Sequence, residues 1–262
     1  MDYKNIIFEV TDNIGLITLN RPDDANSINK PMVEELADIA MNCYRDDSIR
    51  SVVLTGSGKM FCGGGDLKAF VEQGDAVSNY VDQTATVLHQ SISRFARMDS
   101  PLVIAVNGVA AGGGFSLALA GDYIIAADTA KFISAYTASG LSPDGSSTFY
   151  LAKHIGLLRA KELILTNRLL SAEEACNWGM VTKVVPSDNL LDEAMAMANK
   201  FSKGPTKAYG ISKNLLNSTY SETLEAQLDS ESRGIASSIG SEDGRHGIDS
   251  FYNKKKPTFK GK

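Results

Sequence analysis

The sequence is poor in the residues that tie small or metal-dependent folds together. Its three cysteines, Cys43, Cys62 and Cys176, are scattered, odd in number and form no CxxC pair, which argues against a disulfide framework. Its three histidines, His89, His154 and His246, fall at no paired ligand spacing, so no metal site is expected. No run approaches the ~18 apolar residues of a membrane-spanning helix. The opening residues, MDYKNIIFEV, are acidic and lack the apolar length of a secretory signal, so a cytoplasmic protein is expected. Neither sign of charge is in large excess: the net charge is −5, which favours no nucleic-acid or membrane-surface partner. The one basic cluster, Lys254–Lys256 with Lys260 and Lys262, lies at the C-terminus and reads first as a solvated tail.

What is present is ordinary for a soluble globular chain, with 43% hydrophobic and 22% charged residues over 262 positions. A chain of this length can bury a large core in one domain or two small ones. Short β-branched runs predict strands at Ile6–Val10, Gly15–Asn20, Ser51–Thr55, Leu102–Val106, Tyr123–Ala127 and Phe132-Ile133. Helical spacing of apolar residues predicts helices at Pro31–Tyr44 and Val77–Met98, with another starting at Asp66. From about Asp144 the strand signal almost vanishes. Helices are expected at Ser146–His154, Leu158–Thr166, Ala172–Asn177, Leu190–Ser202, Pro205–Asn217, Ser221–Ile235 and Ser241–Asn253, interrupted by one short strand, Val181–Val185. There is no internal repeat and no low-complexity linker.

The stretch that carries most chemistry is Asn107–Phe115, NGVAAGGGF, which joins an apolar strand to a helix start. Backbone N–H groups at such a junction are left unpaired and can hold a negative oxygen. The spacing is neither GxGxxG nor a Walker loop. Gly56-Ser57-Gly58-Lys59 also fails the Walker pattern, with Val53 and Met60 where Gly and Ser/Thr are required. A second glycine segment, Cys62–Leu67 (CGGGDL), also follows a strand and opens a helix. Each could be a plain turn. Together they could aim one N–H each at one oxygen, an oxyanion hole. Asp144, in SGLSPDGSS, is open to two readings: Pro-Asp-Gly turn chemistry with a helix cap, or a carboxylate set beside that oxyanion hole.

The segments LNRPDDANSIN (19–29), GKMFCGGGDL (58–67), PLVIAVNGVAAGGGFSLALAGDYIIAADTAKF (101–132), LSPDGSS (141–147), LLSAEEACNWGMVTKVVP (169–186) and FYNKKKPTF (251–259) together resemble the crotonase (enoyl-CoA hydratase/isomerase) superfamily, over essentially the whole chain. The resemblance implies an α/β fold: a spiral of repeated ββα units with a helical C-terminal section. Residues 1–190 would form the core with an acyl-CoA site and 191–262 a helical trimerisation section, in a homotrimer or dimer of trimers. It also implies an acyl-CoA thioester substrate whose enolate is held by two backbone N–H groups, here those of Gly65 and Gly113. No cofactor is implied beyond the coenzyme A of the substrate. CoA would lie near Ala25, Asn26, Gly64, Asp66 and Leu67, with Phe251 and Lys254 supplied by a neighbouring subunit.

Hydratases of this family use two glutamates, and their positions here hold Ser116 and Tyr136, which are expected to shape the pocket instead. Neither is an ionised base near neutral pH. The resemblance therefore moves the chemistry to Asp144. Δ3,Δ2-Enoyl-CoA isomerases carry a glutamate there, and ring-epoxide isomerases of phenylacetyl-CoA degradation an aspartate. One carboxylate would remove a proton at C2 and return it at C4. A rival is 4-chlorobenzoyl-CoA dehalogenase, with aspartate at this position as a nucleophile and a histidine that His89 would match. Its aromatic clamp falls on Gly65, Leu88 and Tyr136 here and is largely missing. His89 as a plain helix histidine stays open beside that role. A non-catalytic acyl-CoA- or RNA-binding homologue would want a basic face with aromatics, which the sequence lacks.

Overall fold

A computed structural model describes residues 3–262. Strands β1 (Ile6–Thr11) and β2 (Ile14–Leu19) pair as an antiparallel hairpin. Asp12 and Asn13 form its two-residue turn, both with positive φ, as a turn matching strand twist requires. Helix α1 (Lys30–Arg45) starts at Asn29, whose side chain accepts the Met32 N–H, and buries the stripe Met32, Val33, Leu36, Ile39, Ala40 and Cys43.

The chain then winds through three turns of one pattern. Strands β3 (Ser51–Gly56) and β4 (Met60–Cys62) lead to α2 (Leu67–Glu72) and α3 (Val77–Arg97). Strands β5 (Leu102–Val106) and β6 (Val109–Ala111) lead to α4 (Gly113–Leu119), and β7 (Tyr123–Ala127) and β8 (Lys131–Ile133) lead to α5 (Ser147–Ile155) and α6 (Leu157–Thr166). Strand β9 (Leu170–Ser171), α7 (Ala172–Asn177) and β10 (Lys183–Val185) follow, then α8 (Leu190–Ser202), α9 (Thr206–Ser218), α10 (Leu224–Gly240) and α11 (Glu242–Tyr252). The first strand of each turn joins a six-stranded sheet ordered β1-β2-β3-β5-β7-β10; the second joins a four-stranded sheet ordered β4-β6-β8-β9. Successive turns pair in parallel, and β9 closes the small sheet antiparallel.

This is the expected α/β spiral. The large-sheet strands β3 and β5 are buried along their whole length, so they read as continuous apolar runs. The small-sheet strands β4, β6 and β9 were not expected. Two or three residues are too few to show a period, and these lie between glycines or against a helix cap. The last helices also shift: the one expected at Ser221–Ile235 spans Leu224–Gly240, because Thr223 caps it by accepting the Ala226 N–H. Phe61, Phe95, Phe115 and Phe132 fill the space between the layers, and Ala194 and Ala198 of α8 are buried with them.

The lysines of the C-terminal tail are exposed, as expected, but its last residues are fixed in place. The buried Asp243 carboxylate accepts the backbone N–H groups of Lys260, Gly261 and Lys262, pinning the tail to the start of α11. Among the described residues, no helix is long and apolar enough to cross a membrane.

Candidate active site

Two glycine junctions of the spiral meet side by side. Ile28 donates its N–H to Gly64 O at 2.7 Å and accepts that of Asp66 at 2.9 Å, which holds the CGGGDL segment against residues 25–28. Gly112 precedes α4 with φ 49°, and Gly64 has φ 98°, both in the region that favours glycine. A methyl group on Gly64 would stand 2.9 Å from Ala111 O and 3.4 Å from the Gly113 nitrogen, so the two backbones approach as closely as glycine allows. Among the described residues, neither the Gly65 nor the Gly113 N–H donates to a protein acceptor. Both residues line one cavity of about 490 Å³, and Asp144, Tyr136, Gly64 and Leu67 line it too.

Asp144 follows Pro143 on the loop before α5 and does not cap that helix with its carboxylate. The carboxylate Oδ1 contacts His89 Nε2 and accepts the Gly145 N–H, while Oδ2 has no partner among the described residues. A carboxylate held by one oxygen and open at the other is fixed in direction yet free to take a proton. Its side chain is 33% exposed and that of His89 51%. His89 lies on α3 and lines a second cavity, about 670 Å³, of which Asp144 and Pro143 are also walls.

The loop of Asp144 is held from beneath. Ser116 is fully buried, and its Oγ donates to Asp144 O at 2.7 Å. The Tyr136 hydroxyl lies 2.9 Å from Ser116 Oγ and 3.3 Å from Asp144 O. Burial pushes the Tyr136 phenol well above its usual range, against the pull of the Ser116 hydrogen bond, so it stays a neutral donor. Burial likewise pushes the Cys62 thiol up to about 12, which leaves no thiolate at the glycine loop.

Other expected site residues are placed differently. The Asn26 side chain is fully buried and spent: Oδ1 accepts the Arg21 N–H, and Nδ2 donates to Ser57 O and Met60 O. Asp66 caps α2 through the Ala69 N–H and pairs with Arg21 Nη2 at 3.0 Å. Ala25, with φ 56°, accepts the Gly63 N–H through its carbonyl. Phe251, in the last turn of α11, and Lys254, just past its end, lie exposed and line neither cavity of their own chain. Several walls of the 490 Å³ cavity lie outside the expected residues, Ile28 and Val81 among them. Phe70 is another, its ring against Gly65 and edge-on to Tyr80 at 6.2 Å. Its place four residues after Asp66, on the first turns of α2, was the available signal.

Residues 9–262 match the family model "Enoyl-CoA hydratase/isomerase". The chain is 39% identical to 1,2-epoxyphenylacetyl-CoA isomerase of Escherichia coli (strain K12), with 98% of each chain covered. It is 34% identical to 4-chlorobenzoyl coenzyme A dehalogenase-2 of an Arthrobacter species, over 90% of this chain and 86% of that one. The crystal structure of an enoyl-CoA hydratase from Bacillus anthracis superposes with a TM-score of 0.92 at 32% identity, covering 99% of this chain and 100% of that one. Two adjoining glycine loops with free N–H groups, a carboxylate beside them and a match over almost the whole sequence converge: the chain belongs to the enoyl-CoA hydratase/isomerase (crotonase) family of acyl-CoA enzymes.

Proposed function

We propose that this protein is an acyl-CoA isomerase that moves a double bond through a thioester enolate. The observation that carries this reading is Asp144: one oxygen is tied to His89, the other is open, and the residue lines the cavity of the two free N–H groups. Asp144 takes a proton from C2 of a 3-enoyl-CoA, and the C2–H electron pair moves into the enolate. The thioester oxygen takes the negative charge and accepts the N–H groups of Gly65 and Gly113, each such donor being worth roughly 10²–10³ in rate. The proton returns at C4, which leaves a 2-enoyl-CoA. Ser116 and Tyr136 support the isomerase over the hydratase reading, since neither supplies the second carboxylate that activates water. The 39% identical relative is named an isomerase of an acyl-CoA.

Ala25, Asn26, Gly64, Asp66 and Leu67 would shape the CoA end of this site, Asn26 and Asp66 by holding its loops. The homotrimer reading is supported by exposed apolar residues on the C-terminal helices: Leu228, Ile235 and Ile239 on α10 and Phe251 and Tyr252 on α11. Phe251 and Lys254 would then serve a neighbouring subunit's site.

The His89–Asp144 contact favours a second reading. Asp144 attacks an aryl-CoA ring carbon, halide leaves, and water activated by His89 hydrolyses the aryl ester. A panel of 3-enoyl-CoA, 2-enoyl-CoA and 4-chlorobenzoyl-CoA separates the two. Isomerisation that falls by about 10² or more in Asp144→Asn supports the isomerase. Hydration of 2-enoyl-CoA that survives Asp144→Asn sinks it. Chloride release lost in His89→Gln establishes the dehalogenase.

A further inference from the structure

Asp144 stands between two cavities of different character. The acyl cavity holds the glycine loops, Phe70, Val81 and Leu88. The second has apolar walls in Ile92, Ala96 and Phe149, and a polar side formed by His89, Ser93, Arg97, Asn214, Asn217 and Ser218. At about 30 Å³ per molecule, its volume of about 670 Å³ is room for some twenty waters, and its polar side offers them partners. His89 borders this polar cavity and not the acyl one. Its Nε2 faces Asp144, and its Nδ1 has no partner among the described residues. An imidazole so placed accepts at one nitrogen and donates at the other.

We propose that His89 and the polar cavity behind it form a proton exit from Asp144, so that the proton returned to C4 comes from solvent. The proposal rests on the isomerase reading and deepens it. Asp144 Oδ2 takes the C2 proton. Once Asp144 is protonated it no longer holds the Nε2–H of His89. The neutral imidazole exchanges that proton with cavity water and settles as the Nδ1–H tautomer. A half-turn about Cβ–Cγ, a soft two-fold torsion, brings the carboxyl O–H to the freed Nε2. The O–H bond breaks as Nε2–H forms, and Nδ1–H passes its proton to water in the cavity. The reverse passage loads Asp144 with a solvent proton, which is delivered to C4. The thioester enolate waits in the oxyanion hole throughout, so charge and protons balance. His89 acts through Asp144 and is a positioning and relay residue. A lone carboxylate would instead carry the same proton from C2 to C4.

The test is turnover of 3-enoyl-CoA in D2O, with deuterium at C4 of the early product read by mass spectrometry. The wild type is expected to place mostly deuterium there. His89→Gln is expected to shift the deuterium-to-hydrogen ratio at C4 about tenfold or more toward retained hydrogen. Ser93→Phe, which fills the polar cavity while leaving His89 in place, is expected to shift it the same way. A merely structural His89 would lower kcat in His89→Gln and leave that ratio unmoved, which overturns the proposal, as does a wild type that retains hydrogen. If 3-enoyl-CoA is not turned over, the isomerase reading fails by itself. The relay is then read from α-proton exchange of a saturated acyl-CoA in D2O. Exchange that slows in both variants sustains it, and absent or equal exchange overturns it.

Discussion

Ser116 donates a 2.7 Å hydrogen bond from Oγ to the carbonyl oxygen of Asp144, tying the helix of one glycine loop to the loop that carries the carboxylate. The bond runs between α4, which begins at Gly113, and the backbone of Asp144, whose carboxylate lines the same cavity. Gly113 and Asp144 are thus linked through one buried side chain. The position that would carry a glutamate in a hydratase has become a strut.

Ser116→Ala removes that strut. The bond is buried, and its loss costs about 1 kcal/mol. The variant is expected to melt a few degrees lower and to lose kcat more than KM, because Asp144 loses direction while the cavity stays open. Ser116→Glu fares worse. A methyl group on Gly145 would come within 2.9 Å of Ser116 Cβ, so there is no room for a longer side chain, and its charge would be buried. That variant is expected to be strongly destabilised and to gain no hydration of 2-enoyl-CoA. Thermal melts and a hydration assay check both.

Tyr136→Phe deletes the hydroxyl 2.9 Å from Ser116 Oγ and 3.3 Å from Asp144 O. The folded phenol is held above its ordinary value, chiefly by burial, so its contribution to stability is full below about pH 10 and fades only as pH rises through the higher folded value. Nothing on Tyr136 titrates near neutrality. The expected result is a lower kcat with an unaltered shape of the kcat–pH profile between about pH 6 and 9. A limb that vanishes from that profile in Tyr136→Phe would show the phenol acting as an acid or base.

The period of apolar residues makes the long elements legible in the sequence: α1 and α3 from their stripes, β3 and β5 from their unbroken runs. The glycine loops are legible because a strand, a glycine run and a helix start follow one another. The short strands β4, β6 and β9 are not, since a period needs more residues than they have. Pairwise geometry is hidden for a different reason. His89 and Asp144 are 55 residues apart, and only the winding of the spiral brings α3 to the loop before α5. The ring of Phe70 beneath Gly65 is likewise a fact of packing. Asn26 shows the converse: its place in the motif suggests a ligand contact, while its side chain is spent on Ser57 O and Met60 O.

Gly64→Ala tests the oxyanion geometry without touching a side chain. Alanine at φ 98° is strained, and its methyl would press on Ala111 O at 2.9 Å and on the Gly113 nitrogen at 3.4 Å. Displacing one donor is expected to cost roughly 10²–10³ in kcat. Gly240→Ala is the control, because nothing lies within 4 Å of the added methyl. Circular dichroism and steady-state kinetics on the pair separate a misplaced donor from a misfolded chain.

Asp66 gives the acid side of the stability curve. Burial disfavours its charged form, but the Ala69 N–H and Arg21 outweigh this and hold the carboxyl below its ordinary value. A depressed folded value means that the stabilisation is present above about pH 4 and is lost as pH falls further through the folded value. Asp66→Ala removes both the α2 cap and the ion pair and is expected to cost about 1 kcal/mol at neutral pH. Asp66→Asn keeps a competent cap and loses only the charge, so it is expected to cost less. Denaturant melts at neutral pH and near pH 3 check the sign: the gap between wild type and Asp66→Asn must narrow in acid. A gap that widens there would mean that Asp66 is stabilised by something other than its charge. Because Arg21 also donates to Ser27 O and its own N–H is held by Asn26, the same loss would loosen the segment against which Gly65 is set. The kcat for the acyl-CoA substrate in Asp66→Ala is therefore expected to fall together with stability, and in Asp66→Asn to a smaller extent.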